Sequence, residues 1–434
     1  MRSITLRNAC PFPVYPGATV GAVGLAGAPV MCNAGACATG QFCNSADNMC
    51  YWAPLQTKAG KPLDAYSVQL ATSGNASNVV VNIPVNTTGA TDTVWSGGIW
   101  AGTDVSGAPT PRTVATAATG YCAQSKSAVW QLVPCTNQTV APQNAPVTVA
   151  EFTLVNSLDT YDITAINGVN VPITMAPSNG QTLPPPPASN DPNSKYYWCA
   201  TPGAKAAGQA PTPGQACKWS FAAANNKISM ALVQHQANAQ LCGPSQACPS
   251  GQTCGISYDS SQGVAGVSQQ CGTPLSGTWT AVQICAAVGY QNSNLVNVSP
   301  QLKQSLDCQG TGGANSKLFQ CSGNGTCYNS AAGPTCCGCP NWPAQYNPAG
   351  GNSAAANRCY STNPNWTSVA YPWLSYVKSA CPTMYSFQYD DVTSTFNCST
   401  VPDGQTGTNA TNYTITFCPG GATATVGAIS ITKH

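Results

Sequence analysis

Cysteine is the residue that most constrains what this chain can fold into. The sequence contains 24 cysteines, an even number, spread from Cys10 to Cys418. Such a set serves either as metal ligands or as disulfides. Zinc sites with few cysteines usually add histidine, but the chain has only His235 and His434, and its one close cysteine cluster lies at 336–339. The pattern therefore favours disulfides, no metal, and an oxidising, extracytoplasmic setting.

The charge content is too low for a nucleic-acid-binding surface. Charged residues make up 6% of the 434 residues and the formal net charge is +2, whereas an average soluble protein is roughly 25% charged. The sequence has no run of Lys or Arg, so we expect no nucleic-acid partner and no binding to anionic membrane. No apolar stretch approaches the ~20 residues of a membrane span. No glycine-rich phosphate loop follows a predicted strand, and we predict no cofactor.

The first residues and the glycosylation motifs bear on where the protein works. Residues 1–6 lack the apolar core of a signal peptide, so we interpret the sequence as the mature chain of a secreted protein that carries a start Met. Sequons of the form Asn-x-Ser/Thr suit a glycoprotein surface. They begin at Asn75, Asn86, Asn137, Asn297, Asn324, Asn365, Asn397, Asn409 and Asn412.

Short β-branched segments separated by Gly, Pro and Asn predict an all-β sandwich. The predicted strands cover residues 4–7, 78–84, 146–155, 161–171, 413–417 and 423–432. Helical periodicity is scarce, and the best candidates are 219–233 and 366–379. A proline-rich element at 183–187 predicts a boundary. From Cys199 to Cys359 the cysteines are dense, and few strands are expected.

One local motif occurs twice. The pattern Ala-Cys-x-x-Gly-Gln-x-Cys begins at Ala36 and again at Ala247, and each copy has one further cysteine on either side. We expect two four-cysteine units, which we call the knobs. The first knob contains Cys32, Cys37, Cys43 and Cys50, and the second contains Cys242, Cys248, Cys254 and Cys271. Stapling of long loops is the favoured role, and ligand binding is the alternative.

Several segments resemble the thaumatin-like family, in the order in which that family carries them. The similar segments are 4–11, 98–103, 150–154, 161–164, 168–173, 380–382, 385–386, 390–391 and 412–419. Together they cover about half the chain. The resemblance implies a thaumatin-like flattened β-sandwich with disulfide-rich loop domains. It also implies three disulfides: Cys10–Cys418, Cys199–Cys398 and Cys217–Cys381.

The resemblance also implies a division of the chain. Residues 1–105 form the first part of the sandwich, with a cysteine-rich insertion at about 32–50, and 106–147 form a small loop domain. Residues 148–187 form the second part of the sandwich. An enlarged disulfide-rich domain spans 188–380, and 381–434 complete the sandwich.

Carboxylates are the best candidates for chemistry. Glu151 is the only glutamate in the chain. Phe152 follows it in an alternating strand, so we expect Phe152 in the core and Glu151 on a groove. Asp159 and Asp162 come from the next strand and could face the same way. A carboxylate pair across a groove is what glycoside hydrolysis requires, and the alternative is that these groups only cap loops.

The thaumatin-like family has an acidic cleft with one arginine and four acidic residues. The resemblance places Glu151, Asp162 and one of Asp390 or Asp391 in that cleft. Asn167 stands where the family has a further acid, and Gly98 and Gly102 stand at the positions where its arginine is expected. The cleft therefore keeps about three of the five groups, which weakens hydrolysis more than binding.

These observations predict a secreted protein that binds cell-wall polysaccharide of the β-glucan type, with defence, including antifungal defence, as the role that the family implies. The predicted ligand-binding residues are Glu151, Asp159, Asp162, Asn167, Asp390 and Asp391. If the protein is an enzyme, a weak endo-β-1,3-glucanase, its catalytic residues are Glu151, Asp162, Asp390 and Asp391. The third possibility is a structural wall or matrix protein. Trp342, Trp366, Tyr371, Trp373 and Tyr376 are either a sugar-stacking patch or, as we favour, core.

Overall fold

The computed structural model describes most of the chain. It covers residues 2–19, 31–32, 37, 41–44, 48–52, 55–72, 74, 77–83, 93–104, 117–126, 129–135, 146–155, 158–178, 197–206, 209–211, 214–224, 228–259, 266–321, 335–339, 342–347, 359, 363–399 and 411–427. The sequons at Asn75, Asn86, Asn137, Asn324 and Asn409, together with the proline-rich element at 183–187, lie outside the described residues.

Strands dominate the described residues, so the all-β class predicted from the sequence is confirmed. The strands are β1 (Ser3–Asn8), β2 (Val14–Ala18), β3 (Gln41–Asn44), β4 (Met49–Trp52), β5 (Asn78–Asn82), β6 (Thr93–Asp104), β7 (Ala117–Thr119), β8 (Cys122–Lys126), β9 (Val129–Val133), β10 (Val149–Val155), β11 (Leu158–Thr164), β12 (Ile173–Ser178), β13 (Ser220–Phe221), β14 (Ala231–Val233), β15 (Thr253–Tyr258), β16 (Val267–Gly272), β17 (Pro274–Thr278), β18 (Phe396–Ser399), β19 (Asn412–Phe417) and β20 (Thr425–Val426). The helices are α1 (Ala281–Ala287), α2 (Pro300–Leu306), α3 (Ala314–Gln320), α4 (Pro364–Val369), α5 (Tyr371–Ala380) and the single turn α6 (Asp391–Ser394).

The first sheet brings the two ends of the chain together. Its strand order is β12-β19-β1-β5. At its centre β1 pairs in parallel with β19, so that Ile4 lies opposite Tyr413. Just beyond these two strands, Cys10 and Cys418 form a disulfide. The first and last strands of the sandwich are therefore held both by hydrogen bonds and by a covalent bond.

The second sheet carries the candidate groove on its outer side. Its strand order is β18-β11-β10-β6-β2, with β7 beside β6. Side chains alternate along each strand, so Ala150, Phe152 and Leu154 of β10 point inward and are buried. Glu151 lies between them on the other side and is exposed. The alternation predicted for this strand is confirmed.

The cysteine-rich segment holds more regular structure than the sequence predicts. β14 to β17 form a four-stranded sheet, and α1 to α3 follow it. The expectation of few strands is wrong because β15 and β16 are rich in Gly, Ser and Gln, which carry little strand signal. One connected cluster of buried apolar residues includes members of both sandwich sheets and of this segment. The predicted domain boundaries stay a prediction.

The helix predicted over 219–233 does not form. The described part of that segment contains β13 and β14 instead. Trp219 has a φ of 55°, which a right-handed helix does not allow, and its N–H donates to the Ala380 carbonyl oxygen. Apolar spacing over so short a window does not distinguish a helix from a buried strand.

The helix predicted over 366–379 forms as two helices. The Asn363 side chain caps α4 by accepting bonds from the N–H groups of Asn365 and Trp366. Pro372 lies at the start of α5, where its missing N–H costs nothing and its fixed φ suits a new helix. Of the strand predicted over 423–432, the described part forms the short strand β20, which pairs in parallel with β13.

Every cysteine in the described ranges is disulfide-bonded. The three pairs that the resemblance implies are present in the structure, Cys10–Cys418, Cys199–Cys398 and Cys217–Cys381. Further pairs outside the knobs, with both cysteines in the described ranges, are Cys122–Cys135, Cys285–Cys308, Cys321–Cys337 and Cys339–Cys359. This pattern agrees with an oxidising compartment.

The two knobs are copies of one structural unit. The pairs are Cys32–Cys43 and Cys37–Cys50 in the first knob, and Cys242–Cys254 and Cys248–Cys271 in the second. In both, the first cysteine pairs with the third and the second with the fourth. Each unit is built on an antiparallel hairpin, β3–β4 or β15–β16. The repeated sequence motif thus encodes a repeated disulfide topology.

A buried ion pair ties the start of the chain to the second sheet. The Arg2 guanidinium donates to both carboxylate oxygens of Asp159, with Nη1 at 3.0 Å from Oδ1. The Tyr413 hydroxyl donates to Asp159 Oδ2 at 2.7 Å. The two charged side chains are 3% and 0% exposed. Removal of one partner would leave an uncompensated charge inside the protein.

We expect Asp159→Asn to lower the free energy of unfolding by about 3–5 kcal/mol, since Arg2 would then be buried without its counter-charge. Denaturant unfolding of the disulfide-intact protein measures the change. Glu151→Gln is the matched control, because it also converts a strand carboxylate into an amide but lies on the exposed face. Equal stability of the two variants would contradict a structural role for Asp159.

Candidate functional site

The candidate site lies on the outer face of the second sheet. Glu151 of β10 is directly opposite Asp162 of β11 and, on its other side, Gly98 of β6. Residues paired in this way point to the same face. The sheet therefore sets two carboxyl groups side by side on neighbouring strands, as we predicted from the alternation of the sequence.

The carboxyl groups of Glu151 and Asp162 interact directly. Asp162 hydrogen-bonds to Glu151, and two adjacent carboxyl groups cannot both ionise easily. Burial raises the pKa of Asp162 well above its ordinary 3.8, and the Glu151 and Asp391 carboxylates raise it further. Burial also raises the pKa of Glu151, whereas the bond from Asp162 lowers it. These causes favour Asp162 as the group of the two that keeps its proton.

A third carboxyl group and a tyrosine complete the cluster. The backbone of Tyr385 extends the edge of β11, where its N–H donates to the Ile163 carbonyl oxygen at 2.8 Å. Its hydroxyl donates to Asp391 Oδ1 at 2.8 Å and lies 2.5 Å from Thr395 Oγ1. Burial raises the pKa of Asp391, and the bond from Tyr385 partly offsets that rise. We call Glu151, Asp162, Asp391 and Tyr385 the carboxyl cluster.

Two of the predicted groove carboxylates lie elsewhere. Asp159 is three residues from Asp162 in the same strand, so it points to the opposite face and pairs with Arg2 in the core. Asp390 is 2% exposed, and its Oδ2 lies 2.8 Å from Lys378 Nζ. Their assignment to the groove is therefore corrected: both are buried partners of cations, and the groove receives Asp162 and Asp391 instead.

The positions that depart from the family pattern carry no charge. Gly98 is opposite Glu151, and Gly102 is opposite Tyr15 of β2. No cation is among the groups that shift the pKa values of Glu151, Asp162 or Asp391. Asn167 is exposed on the turn after β11, where its carbonyl oxygen accepts a bond from Val147 N–H. Among the described residues, the two positions where the family's arginine is expected therefore bring no guanidinium to the cluster.

The aromatic residues considered as a sugar-stacking patch pack inside the protein. Trp342, Trp366, Trp373 and Tyr376 are all buried, and Tyr371 is half-buried. Trp342 stacks on Tyr371 with ring centroids 5.3 Å apart. Its indole N–H donates to Asp390 Oδ1 at 2.9 Å. These rings therefore belong to the core around Asp390, as we favoured from the sequence.

Sulfur atoms are close enough for a metal at both knobs. The groups are Cys32, Cys37 and Cys50, and Cys242, Cys248 and Cys254. All six cysteines are consumed in disulfides, so they lack the thiolates that zinc requires. The proximity reflects two crossed staples.

Tyr385 and Thr395 are members of the site that the sequence did not reveal. Tyr385 lies in a segment that resembles the family, but a tyrosine beside a serine carries no sign of a functional role. Its bond to Asp391 depends on the fold of the turn between them. A further cavity of about 720 Å³ is lined in part by Phe12, Leu275 and Val426. The carboxyl cluster is not among the residues that line this cavity.

Comparison with known proteins supports the thaumatin-like family. The sequence model described as "Thaumatin family" matches residues 81–276, which contain Glu151 and Asp162. Over that stretch the chain is similar to the thaumatin family. The similarity that we noted from short segments of sequence is thereby confirmed.

Individual relatives match this thaumatin-like chain over short segments. "Pathogenesis-related thaumatin-like protein 3.5" of Cryptomeria japonica is 62% identical over 42 residues, 10% of this chain and 13% of the relative. Zeamatin of Zea mays is 41% identical over 66 residues, 15% of this chain and 21% of the relative. "Thaumatin-like protein 1" of Castanea sativa is 52% identical over 42 residues, which is 10% of this chain and 14% of the relative. The matches span less than a quarter of these relatives' own length.

The crystal structure of a beta-1,3-glucanase domain (GH64) from Clostridium beijerinckii aligns with 96% of this thaumatin-like chain and 97% of its own. The TM-score is 0.28 and the sequence identity is 9%. A likeness at that level supports no conclusion about this chain. Separately, no helix in the described residues is long and apolar enough to cross a membrane.

We expect Asp162→Asn to stabilise the protein at neutral pH. The raised pKa means that the folded state keeps a proton that the unfolded state releases, so the parent loses stability as the pH rises above 3.8. Asparagine keeps a donor toward Glu151 and does not titrate. Thermal unfolding from about pH 4 to about pH 8 should show a flatter profile for the variant than for the parent. Parallel profiles would contradict a raised pKa of Asp162 in the folded protein.

Proposed function

We propose that this thaumatin-like protein acts outside the cytoplasm as a carbohydrate-binding protein, with cell-wall polysaccharide of the β-glucan type as its ligand. The observation that carries the proposal is the carboxyl cluster on the outer sheet face, where Glu151 lies directly opposite Asp162 on the neighbouring strand. Disulfide bonding of the described cysteines supports the compartment. A pathogenesis-related protein among the relatives supports a role in defence.

The chemistry of the cluster suits sugar hydroxyl groups. An ionised carboxylate only accepts hydrogen bonds, whereas a protonated one also donates. The protons of Asp162 and Tyr385 are already donated to Glu151 and Asp391, so the cluster offers a ligand mainly acceptor oxygens. A sugar hydroxyl can donate to these oxygens. Bonds to a charged acceptor are the stronger ones, and we assign the main contact to Glu151.

Hydrolysis of the glycan is a second candidate. It is favoured by the raised pKa of Asp162, because a glycosidase needs a carboxylic acid that keeps its proton. Hydrolysis also requires carboxyl groups about 5–9.5 Å apart on either side of the scissile bond. Glu151 and Asp162 are bonded to each other, so no glycosidic bond fits between them. A hydrolytic pair would have to consist of Asp391 and either Glu151 or Asp162.

We expect Glu151→Gln to bind β-1,3-glucan about tenfold more weakly than the parent, or weaker still, because a hydrogen bond to a charged acceptor is lost. Stability should change little, because Glu151 is exposed. Isothermal titration with a soluble β-1,3-gluco-oligosaccharide measures the affinity. Asp259→Asn is the matched control, since Asp259 is a half-buried carboxylate after β15, on a different sheet, where it lies 3.7 Å from His235.

Three outcomes separate the candidate functions. Binding that is lost in Glu151→Gln and kept in Asp259→Asn, without release of reducing ends, supports the binding protein. Release of reducing ends by the parent that disappears in both Glu151→Gln and Asp391→Asn supports the glucanase. If the parent neither binds nor cleaves glucan, both candidates are wrong and a structural wall or matrix protein is the remaining reading.

A further inference from the structure

A second row of polar side chains runs beside the carboxyl cluster. Thr153 of β10 lies opposite Ser96 of β6 and Thr160 of β11, and Thr160 lies opposite Asn397 of β18. Paired residues share a face, so these four side chains cross four strands on the outer side of the second sheet. Thr153 is two residues beyond Glu151, and Thr160 is two residues before Asp162. We call this set the hydroxyl row.

The members of the hydroxyl row hold one another in place. Thr160 Oγ1 donates to Asn397 Oδ1 at 2.9 Å. The hydroxyl oxygens of Ser96 and Thr153 lie 3.4 Å apart, and either can be the donor. All four side chains are half-buried. Their orientation is therefore set by the sheet, and each keeps one side open to solvent.

These bonds leave both donors and acceptors for a ligand. Asn397 begins a sequon, and without a glycan its side chain has used its oxygen and keeps its two amide N–H groups. Thr160 has used its proton and keeps its lone pairs. One hydroxyl of the Ser96–Thr153 pair keeps its proton. The row carries no charge. It therefore matches a neutral polyhydroxyl compound and gives an ion no counter-charge.

The spacing relates the row to the cluster. Two residues along a strand advance about 6.8 Å, and neighbouring strands lie about 4.8 Å apart. A step of that size is on the scale of one sugar ring. A linear glycan that places one ring against Glu151 and Asp162 thus reaches Thr153 and Thr160 with the next ring.

We infer that the hydroxyl row is a second sugar subsite, which takes a neutral, unsubstituted hexose unit of the glycan bound at the carboxyl cluster. The inference rests on the proposed function and adds selectivity to it. A glycan made of uronic acids would bring its carboxylates against Glu151 and Asp391, and the row would offer no cation in return. The two rows together select neutral over anionic polysaccharide.

The test is isothermal titration with neutral β-1,3-gluco-oligosaccharides from two units upward, and with an oligogalacturonate of matched length. Thr160→Val removes a hydroxyl from the hydroxyl row, and Asn397→Ala removes its amide group. We expect each to bind the longer oligosaccharides about two- to tenfold more weakly, which is the effect of one neutral hydrogen bond. Binding of the disaccharide should stay at the parental level. Thr160→Ser should restore the long-chain affinity, since it restores the hydroxyl.

Thr414→Val is the matched control, because Thr414 is a half-buried strand threonine on the outer side of the first sheet. Suppose that Thr160→Val and Asn397→Ala bind every oligosaccharide with the parental affinity, while Glu151→Gln binds weakly. That result would overturn the second subsite and leave the proposed function standing. A parent that binds no neutral glucan would overturn both. Equal affinity for the oligogalacturonate would overturn the selectivity.

Discussion

The ion pair between Lys378 and Asp390 is the interaction on which the position of the groove depends. Lys378 Nζ lies 2.8 Å from Asp390 Oδ2, and it also donates to the carbonyl oxygens of Pro382 and Met384. Asp390 accepts from Ser386, Trp342 and Thr393. Burial by itself lowers the pKa of Lys378, and the charge of Asp390 acts against that shift. With so many hydrogen bonds, the charge pair is tolerated although it is wholly out of solvent. These bonds fix the turn from 382 to 394. Asp391, the residue after Asp390, is thereby held against Tyr385 and the edge of β11.

Strand alternation decides which carboxylates are structural and which reach solvent. Asp159 and Asp162 belong to one strand, but their odd separation sends one to Arg2 in the core and the other to Glu151 on the outer face. At the start of a helical turn, Asp390 likewise pairs with Lys378 in the core, whereas Asp391 bonds to Tyr385 in the carboxyl cluster. In each pair, one carboxylate is neutralised by a buried cation and stabilises the fold. Its neighbour, Asp162 or Asp391, belongs to the carboxyl cluster on the outer face.

The sequence predicts the sandwich and half of the site for physical reasons that are visible in single strands. An alternating strand places Phe152 inside and Glu151 outside whatever its partner is. The same parity rule argues against grouping Asp159 with Asp162, since the large aromatic ring of Tyr161 favours the inner face and Asp159 shares that face. By contrast, the choice between Asp390 and Asp391 depends on Lys378, a residue on α5 whose partner cannot be read from spacing. The Trp219 segment was misread because its backbone bonds to Ala380, a contact between distant parts of the chain.

The disulfide between Cys10 and Cys418 makes most of the polypeptide a closed covalent ring. One peptide bond cut anywhere inside that ring opens it at that point, but it releases no fragment. The inner disulfides add smaller rings within it, so that a loop cut inside a knob also stays attached at both sides of the cut. Within the ring, a protease therefore has to cleave at least twice between neighbouring disulfide-bonded cysteines before a piece can diffuse away. Cleavage of a peptide bond and release of a fragment are thus separate events for this molecule. A loop between two disulfides can be cut without loss of any part of the chain.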